Sequence, residues 1–173
     1  AGAAQDVIDA SRAEPRGVIR MTSPVALLNV HVGSMLADFM ARYPQITIHL
    51  ESTNQSVDVV SEAIDLAIRV RPPPLQDSEV VMRVLADRRH CLVASPALVQ
   101  QHGPLASPGD LNGWPSLGLG RGQETFSWLL FGPDDSQVSV HHVPRFVTTD
   151  MIALRNAALA GVGVVQLPLM MVC

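Results

Sequence analysis

The sequence predicts an α/β fold, and three observations carry that reading. Ile46, Ile48 and Leu50 alternate with Thr47, His49 and Glu51, the pattern of a half-buried strand. An apolar-patterned helix is expected from about Val57 to Ala63, and the apolar run from Asp65 to Val70 then returns as a strand. That is a β-α-β unit, which implies a parallel sheet. Ligands of such sheets sit at the carboxyl ends of the strands, so Val70-Arg71, at the strand exit, is a candidate ligand edge.

The other elements follow in order. Ala1 to Ala13 reads as a helix, ended by Pro15 and Gly17. Val18 to Thr22 is the first strand. Ser23 then offers a helix cap, and Pro24 takes the first helical position, where its missing N–H costs nothing. Val25, Leu28, Val32, Met35, Leu36 and Phe39 recur at helical spacing up to Arg42, a stripe expected to face the core, and Pro44 stops the helix. Pro72-Pro73-Pro74 makes a stiff loop after the returning strand. Val80 to Leu85 and Cys91 to Ala94 read as strands, with the crossing into a second lobe near Arg89 to Val93. Ser95-Pro96 and Ser107-Pro108 open two more helices, the latter with Asp110 in its first turn. Phe126 to Phe131 and Gln137 to His142 flank Gly132-Pro133-Asp134-Asp135, a hairpin turn. Arg145 to Val147 is a short strand, and Thr149-Asp150 caps a helix running to about Ala160. Gly161-Val162-Gly163 closes that helix before a strand from Val164 to Leu167.

Composition narrows the function. A chain of 173 residues can form one domain or two small lobes with a real core. No apolar run approaches the ~20 residues of a membrane span. The start carries no secretory signal and no Met, and the chain begins mid-pattern, as an excised fragment would. Two cysteines, Cys91 and Cys173, are too few for a disulfide framework and suit a reducing cytoplasm. A net charge of -4 argues against this chain gripping nucleic-acid phosphates by itself. All twelve cations are arginine, which reads as genome composition.

Catalytic and metal motifs fail on inspection. Gly118-Leu119-Gly120-Arg121-Gly122 leads into another strand rather than a helix, so it is a loop and not a dinucleotide-binding turn. No Gly-x-Ser-x-Gly elbow occurs. His141 and His142 are adjacent in a strand and point to opposite faces, and His90-Cys91 has no partner at ligand spacing. No metal or cofactor is expected, and Cys91 reads as inert core.

Several stretches, taken together, closely resemble the effector-binding domain of LysR-type transcriptional regulators. They are Gly17-Val18-Ile19-Arg20-Met21-Thr22-Ser23-Pro24, Ala41-Arg42-Tyr43-Pro44, Asp65-Leu66-Ala67-Ile68-Arg69, Leu92-Val93-Ala94-Ser95-Pro96, Ser107-Pro108-Gly109-Asp110-Leu111 and Ala157-Ala158-Leu159-Ala160-Gly161-Val162-Gly163-Val164. The resemblance implies a two-lobe fold like a periplasmic binding protein of type 2, each lobe a three-layer α/β/α sandwich. It assigns residues 1–16 to the end of a linker helix and 17–89 to a first lobe that is incomplete. It assigns 90–168 to a second lobe and 169–173 to the start of a return crossing. The implied function is to bind a small molecule between the lobes and so control transcription in the cytoplasm. DNA would be held by an N-terminal winged helix-turn-helix absent from this chain, and the family forms homodimers or homotetramers in which the outer face of the first long helix meets a neighbouring subunit.

The resemblance also places candidate ligand residues: Ser23, Pro24 and Val25 at one helix start, Ser56 before the next helix, and Thr149, Asp150 and Met151 at a helix start in the second lobe. Val70 and Arg71 join them from the strand exit. Helix N-termini favour anions. The simpler reading is that Ser23, Ser56 and Thr149 only cap their own helices. Asp150 tells against an anion in the second lobe, because a carboxylate there already uses the N–H groups. Arg71 could fork onto a carboxylate, or instead pair with Asp77 or Glu79 on the rim. Two other functions share the scaffold. A transport solute-binding protein would have the same cleft but a secretion signal. An enzyme of deaminase-like or dehydratase-like kind would need a general base, for which Asp150 is the one candidate.

Overall fold

The computed structural model describes residues 14–71, 81–87, 89–122 and 125–172. The helix expected at Ala1 to Ala13, the Pro72-Pro73-Pro74 loop, Asp77, Glu79, Val80 and Cys173 lie outside the described residues. The chain divides into two compact units, Ala1–Glu79 and Val80–Cys173.

The first unit is built on a three-stranded parallel sheet in the order β2-β1-β3, with β1 at Gly17–Ser23, β2 at Ile46–Ser52 and β3 at Leu66–Ala67. The expected alternation holds in β2, where Ile46, Ile48 and Leu50 are half-buried and Thr47, His49 and Glu51 are exposed. The β1–β3 ladder starts from a side chain. The Asp65 N–H donates to the Arg20 carbonyl (2.9 Å), and the Arg20 N–H donates to Asp65 Oδ2 (2.8 Å). The Ile68 N–H donates to the Thr22 carbonyl (2.9 Å), so pairing persists just past β3 and ends before Val70.

Helix α1 connects β1 to β2 in three pieces: Val25–Leu27, a π-helical turn at Leu28–Val32, and Gly33–Arg42. The π turn closes with the Gly33 N–H on the Leu28 carbonyl. A Cβ at Gly33 would stand 2.9 Å from that oxygen, so glycine is what lets the turn widen there. The apolar stripe of α1 is only partly core. Val32 is buried, whereas Met35 is 67% and Phe39 37% exposed.

Three sequence expectations in this region and just beyond it are corrected. Ser23 does not cap α1. It ends β1, and the cap position belongs to Pro24, which makes no side-chain cap bond. The helix expected at Val57 to Ala63 is a hydrogen-bonded turn. Asp58 Oδ1 takes the Val60 and Ser61 N–H groups (3.1 and 3.3 Å), and Ala63 has a positive φ of 51°. Seven residues, three of them valine, do not sustain a helix once its first N–H groups are satisfied this way. The strand expected at Val80 to Leu85 is also missing, since residues 81–87 have no regular structure and Val81, Met82, Val84 and Leu85 are exposed. β-propensity without a pairing strand does not make a strand.

In the second unit, β4 (His90–Val93) pairs antiparallel with β9 (Val165–Pro168). β5 (Ser116–Leu119) pairs parallel with β8 (Pro144–Thr148), and a parallel bridge from Ser116 to Val164 ties β5 to the start of β9. The hairpin β6–β7 (Phe126–Phe131 and Gln137–His142) turns at Gly132–Asp135 as expected. There Ser136 Oγ donates to Asp134 Oδ1 (2.7 Å), and Asp135 takes a φ of 58°. Helix α2 (Pro96–His102) is capped by Ser95 Oγ, which accepts the Leu98 N–H (3.2 Å). The Ser107-Pro108 signal produces a single 3₁₀ turn, Pro108–Leu111, held by Asp110 Oδ2 on the Ala106 and Ser107 N–H groups. Helix α3 (Met151–Leu159) ends at Gly161, whose φ of 78° suits a helix stop.

The core of this unit joins Leu98, Leu111, Trp114, Trp128, Val140 and Val164. Leu117, Leu154, Ala158 and Leu167 are also fully enclosed. Cys91 lies half-buried, with its Sγ 3.8 Å from the Leu167 carbonyl. Leu154 has no exposure at all, while Leu159 on the same helix is 67% exposed. Leu154→Ala is therefore expected to destabilise the protein by about 3 kcal/mol in urea denaturation. Leu159→Ala should change stability by less than ~0.5 kcal/mol. Equal effects would mean that α3 is not docked by its Leu154 face.

Candidate functional site

The candidate residues fall at the carboxyl ends of parallel strands, the edge where ligands of such sheets bind. In the first unit, Ser23 closes β1 opposite Ser52 of β2. Ser23 is fully buried. Its hydroxyl lies 3.5 Å from the Pro24 carbonyl, and its own carbonyl accepts the Thr53 N–H (3.0 Å). The first N–H of α1, that of Val25, donates to Asn54 Oδ1 (3.1 Å). An incoming anion would have to displace Asn54 to use it. Beside Ser23, the Thr22 hydroxyl is buried and finds no hydrogen-bond partner among the described residues.

Two residues singled out separately in the sequence meet in space. Arg71 Nη2 donates to Ser56 Oγ at 3.1 Å. Ser56 therefore acts as the acceptor for an arginine beyond β3, and the cap of the following turn is Asp58. Arg71 is exposed, and among the described residues its guanidinium keeps donors for a further group. Arg69, in contrast, turns inward and donates to the Ile68 carbonyl (2.8 Å). Burial holds its guanidinium below the usual arginine range, helped by Arg71, while Glu62 opposes the shift.

In the second unit, Asp150 is the cap of α3. Its Oδ1 accepts from the Ile152 and Ala153 N–H groups (2.7 and 3.1 Å), and its own N–H donates to Thr148 Oγ1 (3.1 Å). Asp150 thus occupies two of the N-terminal N–H groups of α3 with its own carboxylate, as its identity implied. None of Ser23, Ser56 and Thr149 is the cap of a helix, so capping does not account for them.

Met151, the first residue of α3, lines a cavity of about 200 Å³ that sequence reasoning missed. Leu117, Leu119, Phe126 and Trp128 give its apolar wall, and His90, His142 and Gln166 its polar groups. The register explains the meeting. Phe126 stands opposite His142, and Trp128 opposite Val140, on one face of the hairpin. His142 stacks on Trp128 with centroids 4.0 Å apart, and its Nδ1 is hydrogen-bonded to the buried Ser116 Oγ at 2.8 Å. Burial lowers the His142 pKa, with His141 adding to the effect, so this imidazole is held neutral. The hairpin pattern could have placed Phe126, Trp128 and His142 on one face. Nothing local in the sequence brings Ser116 or Met151 to them.

Comparison with known proteins decides the family. The LysR substrate binding domain model matches residues 12–173. The chain belongs to the LysR substrate-binding domain family. An HTH-type transcriptional regulator of Xanthomonas campestris is 31% identical over 92% of this chain and 47% of its own length. The HTH-type transcriptional regulator PtxR of Pseudomonas aeruginosa is 29% identical over 96% of this chain and 52% of its own. Among solved structures, the LysR-type regulator CrgA of Neisseria meningitidis superposes with a TM-score of 0.79 at 27% identity, covering 98% of this chain and 56% of that one. The regulatory domain of AphB from Vibrio vulnificus, in its C227S variant, gives a TM-score of 0.76 at 27% identity, covering 90% of this chain and 76% of that one. The chain spans about half the length of the curated relatives it matches. The LysR regulatory domains it resembles carry the two-lobe α/β fold of the periplasmic-binding-protein kind, so the fold implied by the resemblance stands. The matched relatives are regulators, which favours that reading over a transport protein. Among the described residues no helix is long and apolar enough to cross a membrane.

The lowered pKa of His142 has a consequence for stability. The unfolded state binds a proton on this imidazole near pH 6.5, while the folded state resists it to lower pH. The His142 contribution is thus full above about pH 6.5 and is lost as pH falls toward the folded value. His142→Gln is expected to flatten the fall in stability between neutral and mildly acid pH, read from urea midpoints. A slope identical to that of the parent would show that His142 titrates alike in both states.

Proposed function

We propose that this chain is the sensory part of a bacterial LysR-type DNA-binding regulator. A small molecule binds this domain near Ser23, Pro24, Val25, Ser56, Val70 and Arg71 of the first unit or Thr149, Asp150 and Met151 of the second, and the binding changes transcription. The DNA contact is made by a winged helix-turn-helix outside this chain, and the working protein is a homodimer or homotetramer in the cytoplasm. No step of chemistry is assigned to it. Asp150 spends Oδ1 on its own helix, which supports reading it as a cap and not a general base.

The observation that carries the reading is the Arg71–Ser56 pair at the carboxyl edge of the first sheet. An exposed arginine whose fork is steadied by a serine suits a small carboxylate better than a neutral group. Family membership supplies the regulatory context. A ligand can act there only through different affinities for the two arrangements of the protein.

A thermal-shift screen against small acids, aromatics and sugars tests this. A ligand at a hundred times its Kd should stabilise by about 2.7 kcal/mol, a shift of several degrees. Arg71→Ala is exposed and should leave the unliganded melting point unchanged. It should abolish the shift given by a carboxylate hit. Carboxylates that leave the melting point unchanged while neutral compounds raise it would sink the carboxylate assignment.

A further inference from the structure

We propose that the cavity of the second unit holds an uncharged six-membered ring of the effector, aromatic or heteroaromatic. This inference rests on the effector-sensing reading and gives its ligand a chemical class.

Size comes first. The cavity measures about 200 Å³. A protein cavity of ~150 Å³ is enough for a benzene, so this one suits a single ring and not a fused pair with substituents. Chemistry comes second. Phe126, His142 and Met151 present aromatic and thioether surface, with the buried Trp128 stacked on His142, and such surface prefers a polarizable π face to an aliphatic one. Gly118 lines the same cavity, and a Cβ there would lie 2.7 Å from the Phe126 ring, so ring and backbone are in direct contact. Charge comes third. No Asp, Glu, Arg or Lys among the described residues lines the cavity. A charged group placed there would lose water and find no permanently charged partner, since His90 and His142 are the titratable side chains among the described lining residues. The polar atoms available suit one neutral substituent. His142 has committed Nδ1 to Ser116, which leaves Nε2, and Gln166 has committed Nε2 to the Leu129 carbonyl (3.2 Å), which leaves its oxygen.

The test uses the whole chain and two probes of equal shape, benzamide and benzoate, with binding followed by calorimetry. Both are measured in the parent protein and in Arg71→Ala, which removes the first-unit cation so that the cavity's own preference is read. Benzamide should bind both proteins alike. Benzoate should bind Arg71→Ala at least about tenfold more weakly than benzamide. Leu119→Trp, at a position 41% exposed, should fill the cavity and abolish benzamide binding without changing the melting point. Met151→Trp blocks the same space from the helix side and should do the same. Benzoate binding Arg71→Ala as tightly as benzamide would overturn the uncharged assignment. Benzamide binding that survives both tryptophan variants would overturn the location. Failure of both probes to bind the parent at millimolar concentration overturns this inference alone. The sensing reading falls separately, if no compound of the broader screen stabilises the chain.

Discussion

A backbone N–H at a helix start, a turn or a strand end has no partner within its own element, and in this chain side-chain oxygens repeatedly supply one. Asp65 completes the ladder between the strand of Gly17–Ser23 and that of Leu66–Ala67 by taking the Arg20 N–H. Asn54 takes the first N–H of the long helix. Asp58 closes the turn that replaces a helix, Asp110 closes a 3₁₀ turn, and Asp150 fills the start of the helix at Met151–Leu159. Remove these acceptors and the sheet edges and helix starts lose the groups that fix them. The same bonds decide the chemistry of the site. A helix start is a ready anion site only while its N–H groups are open, and here those of Val25, Ile152 and Ala153 are engaged by side chains of the protein itself.

That constraint redistributes the roles of the two units. In the first, the cation on offer at the strand ends is Arg71, a full charge on a side chain hydrogen-bonded to Ser56. In the second, Asp150 leaves its helix start acidic, and the recess beside it is aromatic and uncharged among the described residues. On the two proposals above, the first unit offers a cation to a carboxylate and the second a recess to a neutral ring. The contrast comes from where acceptors were placed along the chain.

What could be read in advance follows the range of the interaction. The alternation from Ile46 to Glu51, the Gly132–Asp135 hairpin, the Ser95 cap and the Asp150 helix start all rest on neighbours within a few residues, and the sequence shows them directly. Val57 to Ala63 had helical spacing, but Asp58 satisfied the first N–H groups as a turn. The apolar run at Val81 to Leu85 had strand composition and found no ladder. Ser23-Pro24 matched a helix-start pair, yet the β1–β2 register carried the strand through Ser23 and moved the cap one residue on. In the site, Arg71 and Ser56 were each visible and their bond was not, because 15 positions separate them. The stacking of His142 on Trp128 was latent in the hairpin register, whereas its bond to Ser116, 26 positions away, needed the assembled sheet.

Sensing sets a further requirement on the two candidate regions. Equal affinity for two states shifts nothing, however tight the binding. On the proposed reading, a ligand taken by Arg71 and Ser56, or by the ring cavity, regulates only if the contacts it makes there differ between the states of the full regulator. A tight ligand without that difference raises the melting point and leaves regulation where it was. Stabilisation therefore measures binding, and the change in DNA affinity of the full regulator measures sensing.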